Sequence, residues 1–137
     1  MMHCGLLGQK LSHSYSPAIH SMLGDYEYKL YEVEPENVET FLRKGDFDAL
    51  NVTIPYKKRA AALCDELSET ARAIGSVNTI VRRADGKLYG DNTDVYGFEE
   101  LLRRAVFSPR AKKVLVLGSG GASAAVVVAA CGCAYGL

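Results

Sequence analysis

The chain has 137 residues, of which 48% are hydrophobic and 23% charged, a length and composition that suit one soluble domain with a core and exclude extensive disorder. Lysine and arginine together number 16, as do aspartate and glutamate, so the formal net charge is zero. Without an excess of positive charge, the chain is a poor candidate for binding nucleic acid or an anionic membrane surface.

The N-terminal residues lack both a basic leader and a long apolar run, so we predict neither a signal peptide nor a membrane span, and a cytoplasmic location. Cys4 and Cys64 are isolated, and Cys131 and Cys133 have the wrong spacing for a Cys-x-x-Cys pair, which favours reduced thiols. The three histidines are too scattered to suggest a metal cluster, and no metal is predicted.

Apolar runs alternate with helical patterns through the first half of the chain. Three of these runs predict buried strands, over residues 2–7, 28–33 and 49–52. A first helix begins at Ser16, as N-cap before Pro17, and stops at Gly24. Asn37 caps a second helix, which ends near Gly45.

Helical residues follow position 57, and Ser68 is the predicted cap of a helix over residues 69–74. Residues 76–82 and 87–91 predict a hairpin, because Asp85-Gly86 between them is a strong turn sequence. A helix over residues 94–107 leads to a domain boundary near residue 110. The pattern therefore predicts an α/β fold, with a mostly parallel sheet flanked by helices on both faces and an added antiparallel hairpin.

The pattern of residues 111–137 predicts the beginning of a second domain. An apolar run over 114–117 leads into Gly118-Ser119-Gly120-Gly121-Ala122-Ser123 and then an alanine- and valine-rich helix. A strand, a glycine-rich turn and a helix in this order are typical of the start of a dinucleotide-binding (Rossmann) fold. The alternative is a glycine-rich turn of the kind found in any α/β protein.

The segment 51–57 has the features of an active-site loop. Its apolar start suits a buried strand, Pro55 forces the chain out of the sheet, and Lys57 then lies beyond the strand's carboxyl end, where α/β proteins bind ligands. Ser14 and Ser16 follow the first strand, and their hydroxyls beside a helix N-terminus suit a carboxylate ligand. Alternatively, Ser16 only caps its helix and Ser14 only forms a turn.

Lys57 and Asp94, if adjacent, would form an ion pair able to move a proton to or from a substrate hydroxyl. Which of the two takes the proton is left open by the residues themselves. The alternatives are a solvated surface lysine and an aspartate that caps the helix beginning there.

Five ordered motifs between residues 5 and 123 closely resemble shikimate dehydrogenases. They are Gly5-Leu-Leu-Gly8 with Ser12-His-Ser-Tyr-Ser-Pro17, Asn51 to Lys57, Gly75-Ser-Val-Asn-Thr79, Gly90-Asp-Asn-Thr-Asp94 and Gly118 to Ser123. The resemblance implies reversible reduction of 3-dehydroshikimate to shikimate by NADPH, in the pathway to chorismate and the aromatic amino acids. It also implies a substrate-binding and catalytic domain over residues 1–110 and the start of a nucleotide domain over 111–137.

The resemblance further implies roles for individual residues. Ser14 and Ser16 would bind the substrate carboxylate, and Thr53, Asn78 and Asp94 its hydroxyls. Lys57 and Asp94 would be the catalytic pair. The NADP pyrophosphate would lie on Gly118, Ser119, Gly120, Gly121 and Ala122, with Glu69 near the cofactor.

Compared with the family, the chain lacks most of the nucleotide domain, so we expect negligible dehydrogenase activity from it alone. An uncovered segment over residues 111–137 should dock on its own domain or pair with another copy as a homo-oligomer. A dehydrogenase that also accepts quinate is an alternative, as is a non-catalytic polyol-binding or interaction module.

Overall fold

One mixed sheet of six strands organises the computed structural model, which describes residues 1–106 and 112–135. The strands are β1 (His3–Gly8), β2 (Glu27–Glu32), β3 (Ala49–Val52), β4 (Glu66–Leu67), β5 (Thr79–Arg82) and β6 (Leu88–Asp91). Their order across the sheet is β2-β1-β3-β5-β6-β4. The pairs β1–β2, β1–β3 and β4–β6 are parallel, whereas β5 is antiparallel to both of its neighbours. The predicted mostly parallel α/β sheet with an antiparallel hairpin is confirmed.

Helices lie on both faces of this sheet. They are α1 (Ser16–His20), α2 (Val38–Lys44), α3 (Lys57–Leu63), α4 (Glu69–Ile74), α5 (Asp94–Arg104) and α6 (Gly121–Tyr135), with one turn of 3₁₀-helix at Pro35–Asn37 before α2. Helix α1 lies over the face that carries Tyr28, because the His20 ring stacks on that tyrosine. No helix in the described ranges is long and apolar enough to cross a membrane.

The main core lies on the opposite face. Strand alternation places Leu7, Leu50 and Ile80 on this side, and they pack with Val38 and Leu42 of α2. Ala60 of α3 and Ala71 of α4 complete the cluster. Each large aliphatic side chain buried here contributes about 1.5–3 kcal/mol relative to an exposed position, so this face holds residues 1–91 together.

Several strand and helix boundaries differ from the predictions, and the larger differences have physical causes. Strand β5 begins at Thr79 instead of residue 76, because the Val77 N–H donates to the Lys57 carbonyl, outside the sheet ladder. Helix α1 ends at His20 instead of near Gly24, since the Met22 and Leu23 N–H groups close tighter turns, with hydrogen bonds to the carbonyls three residues earlier. Met22 and Leu23, predicted to lie on a buried helical face, are 77% and 68% exposed.

Of the helix caps predicted at Ser68, Ser16 and Asn37, one is confirmed and two are wrong. Ser68 caps α4 as predicted, and its Oγ accepts from the Ala71 N–H at 3.0 Å. The prediction of capping side chains at Ser16 and Asn37 is wrong: Tyr15 precedes α1, and Asn37 makes no cap hydrogen bond because a 3₁₀ turn already continues into α2.

The C-terminal segment contains a helix without the predicted strand. Residues 114–117 are irregular, because a strand needs a hydrogen-bonding neighbour and the described part of the chain places none beside them. Helix α6 docks on the chain's own domain, as one of the two expected outcomes, through a small cluster of Val95, Ala125 and Ala129. The helix predicted over residues 94–107 ends earlier, at Arg104, because Ala105 and Val106 form a turn in which Val106 has a φ of 53°. The predicted boundary near residue 110 lies outside the described residues.

Candidate active site

Lys57 and Asp94 meet at the carboxyl edge of the sheet. Lys57 is the first residue of α3, reached from β3 through a turn that contains the cis Ile54–Pro55 peptide bond. Asp94 is the first residue of α5, which follows β6. The Lys57 Nζ donates to Asp94 Oδ2 at 2.6 Å, although the two residues are 37 positions apart. The predicted ion pair is therefore present in the structure.

Asn78 completes the dyad on its other side. Its Nδ2 donates to Asp94 Oδ1 at 2.9 Å and to Thr93 Oγ1 at 3.0 Å, while its Oδ1 accepts from the Thr93 N–H at 2.9 Å. Thr79 Oγ1 also donates to Asn78 Oδ1. Both carboxylate oxygens of Asp94 are thus used, one by an ammonium and one by an amide. The Asp94 side chain does not cap α5, which was the alternative interpretation of this residue.

A buried support lies beneath the dyad. Asn92 and Ser76 are fully buried, and Asn92 Nδ2 donates to both the carbonyl and the hydroxyl of Ser76, at 3.0 and 3.2 Å. Asn92 Oδ1 accepts from the Asp94 N–H at 3.1 Å. Because a buried amide with satisfied donors and acceptor is costly to displace, this contact fixes the start of α5. This supporting role of Asn92 could not be predicted from the sequence, because an asparagine in a polar loop is usually exposed.

The predicted carboxylate ligands line a cavity next to the dyad. Ser14, Ser16 and Thr53 border this cavity of about 360 Å³, together with Leu6, Lys10, Leu11, Ser12 and His13. Ser14 Oγ accepts from the Ser16 N–H at 3.2 Å, and the Ser14 N–H closes a turn onto the Leu11 carbonyl. The turn expected as an alternative for Ser14 is thus present, while Ser16 makes no capping contact and its side chain lies beside the Tyr28 hydroxyl.

The glycine-rich loop forms one wall of a second cavity, of about 490 Å³, that shares Thr53 with the first. Lys57 and Lys58 lie on one side, and Gly120, Gly121 and Ala122 on the other. A Cβ atom on Gly121 would lie 3.2 Å from Ser76 Oγ and 3.6 Å from Lys57 Cδ, so the absence of a side chain lets the start of α6 approach the dyad. Gly118 has a φ of 142°, a conformation that favours glycine.

The remaining predicted residues lie further out. Gly118 and Ser119 line a third cavity on the far side of the loop, with Ile74 and Val116. Glu69 begins α4 with an exposed side chain and borders none of these three cavities, so its place beside a cofactor stays a prediction. Within the described residues, no group of three histidine, cysteine or acidic side chains is arranged to hold a metal ion.

Comparison with known proteins gives a consistent result. The family model described as shikimate dehydrogenase substrate binding domain matches residues 6–80. The shikimate dehydrogenases (NADP(+)) of Clostridium beijerinckii and Rubrobacter xylanophilus are 44% and 45% identical to the chain over 131 and 133 residues. These alignments cover 90% and 91% of the chain but 48% and 47% of the relatives. The chain therefore spans about half the length of the curated relatives it matches.

Solved structures share the fold. Shikimate dehydrogenase 1 from Peptoclostridium difficile has a TM-score of 0.88 at 36% identity, covering 96% of this chain and 51% of that one. The shikimate 5-dehydrogenase of Thermus thermophilus, solved in complex with NADP(H) and shikimate, has a TM-score of 0.84 at 35% identity, covering 95% and 52%.

Proposed function

Because the chain belongs to the shikimate dehydrogenase substrate-binding domain family, we propose that its cleft binds shikimate and 3-dehydroshikimate for NADP-dependent interconversion. The observation that carries the proposal is the 2.6 Å contact between Lys57 Nζ and Asp94 Oδ2, because Lys57 also lines the cavity that shares Thr53 with the cavity of Ser14 and Ser16. In this arrangement, hydroxyl groups lie in one cavity and backbone groups of a glycine-rich loop lie in the other.

Substrate binding divides between two sets of side chains. Ser14 and Ser16 donate hydroxyl hydrogen bonds to the carboxylate, in the cavity that they share with Thr53. Thr53, Asn78 and Asp94 bind the ring hydroxyls. Because Asn78 and Asp94 are already tied to each other, both are preorganised before the substrate arrives.

Lys57 supplies the electrophilic and proton-donating group. Its ammonium is held against the Asp94 carboxylate at 2.6 Å, which fixes the position of the donor. As the carbonyl of 3-dehydroshikimate is reduced, Lys57 stabilises the developing alkoxide and donates a proton to its oxygen. Asp94 keeps the ammonium in line, and the reverse reaction returns the proton to the amine.

The residues at the second cavity fit a dinucleotide. Gly118 to Ala122 would hold its pyrophosphate, because the loop lacks side chains where it approaches Lys57 and Ser76 and leads into the N-terminus of the 15-residue helix α6. The cofactor, when bound, supplies or accepts the hydride. Thr53, which lines both cavities, and Lys57, which lines this one, orient the substrate carbon toward it.

Calorimetric titration of the full chain with shikimate and with NADPH tests the proposal. We expect shikimate to bind, and Asp94→Asn to weaken binding by about tenfold, since one charge-assisted contact is worth about 1.5 kcal/mol or more. Asp85→Asn is the matched control, because Asp85 lies in the hairpin turn at the far end of β5. Equal affinity in wild type and Asp94→Asn, or no binding of shikimate, contradicts the proposal.

A turnover assay separates the enzyme from a polyol-binding module, the second candidate. Oxidation of shikimate by NADP⁺, catalysed by the chain, supports the enzyme, and Lys57→Ala should then lower turnover by a factor on the order of 100 or more, with little change in shikimate affinity. Because negligible turnover is expected of the chain alone, shikimate binding without NADPH binding is the result that favours the module for this chain.

A further inference from the structure

Lys58 lies beside the proposed cofactor loop on both sides of that loop. It is the second residue of α3, it is exposed, and together with the start of α6 it lines the cavity of about 490 Å³. It also lines the cavity on the far side of the loop, of about 430 Å³, with Gly118 and Ser119. Among the described residues, Gly120 is the one other residue that lines both. Because glycine has no side chain, the Lys58 side chain is the one common to the two cavities.

The lining of these two cavities has an excess of positive charge. Their described lining residues include Lys57 and Lys58 but no aspartate or glutamate. The charge of Lys57 is balanced by Asp94 at 2.6 Å, whereas Lys58 makes no hydrogen bond or ion pair with another residue in the described part of the chain. A cleft lined by charge of one sign attracts ligands of the opposite sign. The uncompensated charge of Lys58 therefore makes both cavities favourable for an anion.

The packing of α3 uses the residues after Lys58 but not Lys58 itself. Arg59 Nη1 donates to the Pro35 carbonyl at 2.5 Å, which ties α3 to the 3₁₀ turn before α2. Ala60 is fully buried in the main core. Since Lys58 is exposed and makes no such contact with the described residues, replacing it by another hydrophilic residue should leave α3 in place.

A pyrophosphate on the glycine-rich loop would need a cation of this kind. The loop from Gly118 to Ala122 offers backbone N–H groups and one serine hydroxyl, which donate hydrogen bonds but carry no net charge. An anion that leaves water for a cleft is stabilised by an opposite charge nearby, and a lysine ammonium is a compact donor that binds phosphate groups. Lys58 is placed to supply this charge, because it lines the cavity on each side of Gly120.

We propose that Lys58 is a cofactor-binding residue, whose ammonium donates to a pyrophosphate oxygen of NADP held on the glycine-rich loop. This inference rests on the proposed function, since it requires the dinucleotide to occupy the loop. Two successive lysines then serve different ligands. Lys57 acts on the substrate carbonyl, and Lys58 neutralises charge on the cofactor.

Calorimetric titration of the full chain with NADP⁺ and with NAD⁺ gives the first test. Lys58→Gln keeps a side chain of similar length but removes the charge. We expect the affinity for both dinucleotides to fall by about threefold to tenfold, between the effects of an exposed ion pair and of a charge-assisted hydrogen bond away from water. The loss should be equal for the two ligands, because both contain the pyrophosphate. Lys58→Arg keeps the charge, and its affinity should stay within about twofold of wild type.

Lys44→Gln is the matched control for this titration. Lys44 is the exposed last residue of α2, lines none of the three cavities around the site, and its replacement changes the net charge by the same amount. Its affinity for NADP⁺ should change by less than about twofold. The shikimate affinity of Lys58→Gln should also stay within about twofold, because Lys58 does not line the cavity of Ser14 and Ser16.

The outcomes separate this inference from the proposed function. Wild-type affinity for NADP⁺ in Lys58→Gln overturns the role of Lys58 and leaves the proposed function standing, as does an equal loss in Lys44→Gln or in Lys58→Arg. A loss confined to NADP⁺ assigns Lys58 to the 2′-phosphate and overturns the pyrophosphate contact. A parallel loss of shikimate affinity shows a general structural effect and overturns the role as well. Failure of the wild-type chain to bind either dinucleotide overturns the proposed cofactor loop together with this inference.

Phosphorus NMR of NADP⁺ locates the contact without turnover. The pyrophosphate and the 2′-phosphate give separate signals, and we expect the pyrophosphate signals to broaden or shift when the wild-type chain is added. With Lys58→Gln this change should be smaller, whereas with Lys44→Gln it should equal that of wild type. A pyrophosphate response that is the same with wild type and with Lys58→Gln contradicts the contact.

Discussion

The sheet and the C-terminal helix are held by different kinds of packing. Helices α2, α3 and α4 cover one face of the sheet through large aliphatic side chains such as Leu7, Leu42, Leu50 and Ile80. Helix α6 rests on α4 and α5 through Val95 and the small residues Ala125 and Ala129. Because burial energy scales with apolar area, the first contact is far stronger. The proposed substrate ligands therefore lie on the strongly packed sheet region, whereas the proposed cofactor loop precedes a weakly packed helix.

Removing a large side chain from the sheet core should give the largest effect. Leu50→Ala should lower the free energy of unfolding by about 2–5 kcal/mol, since Leu50 is 1% exposed and its loss leaves a cavity. Val81→Ala is the control on the opposite face, where Val81 is exposed, and should cost less than about 1 kcal/mol. Urea unfolding followed by circular dichroism measures both, and equal costs would mean that the core does not lie on the α2–α4 face.

A charge placed under α6 should release that helix alone. Ala125→Asp puts a carboxylate into the small contact with Val95, which cannot offset a desolvation cost of several kcal/mol. We expect hydrogen exchange of the α6 amides to speed up at least tenfold while β1 and β3 keep their protection. Val127→Asp, on the exposed side of α6, is the control. Loss of protection in β1 as well would show that the two regions form one cooperative unit.

Asp65 should make part of the sheet region's stability depend on pH. The Leu88 N–H and the Arg43 guanidinium donate to its carboxylate and lower its pKa below 3.8. A lowered folded-state pKa means that this stabilisation is present above pH 3.8 and is lost as the pH falls through the folded-state value.

Asp65→Asn removes the charge and leaves only one oxygen to accept from the two donors. It should cost about 1–2 kcal/mol at pH 7, and the difference from wild type should shrink as the pH drops below about 4. Thermal unfolding at a series of pH values measures this difference. A constant gap between the two proteins from neutral to acidic pH would contradict the role of the charge.

The smallest changes in the free energy of unfolding are expected at Ser68 and Asn37, two of the predicted helix caps. Ser68→Ala should cost about 1 kcal/mol, because it removes the hydrogen bond to the Ala71 N–H, whereas Asn37→Ala should cost a few tenths at most. Chemical denaturation resolves this difference. Equal costs would mean that Asn37 caps α2 in solution after all.

Local sequence predicts the elements that carry strong signals of their own. Strand β3 has the predicted bounds, and the hairpin turn is correct because Asp85 accepts from the Lys87 N–H and Gly86 has a φ of 83°. The contact between Lys57 and Asp94 is predictable because both residues follow strands that end at the same edge. These features depend on short-range chemistry that a sequence displays directly.

Other features depend on partners that a sequence does not display. Residues 114–117 have the composition of a strand but no neighbour within the described part of the chain. Strand β4, two residues long, is too short to produce a periodic pattern. Nothing in the local sequence shows that the Tyr28 hydroxyl meets Asn51, 23 positions away, because the contact arises from the register of β2, β1 and β3.

Because β5 runs antiparallel to β3, the end of the hairpin that carries Asn78 lies far from the hairpin turn. Asn78 lies just before β5 begins, where Thr79 pairs at once with Asn51 and Asp91, and the turn at Asp85–Gly86 lies at the opposite edge of the sheet. Length changes at that turn cannot shift the register at the other end, since pairing there is fixed on both sides. The turn is therefore the place to attach a fluorophore, an affinity tag or a surface tether without touching the cleft.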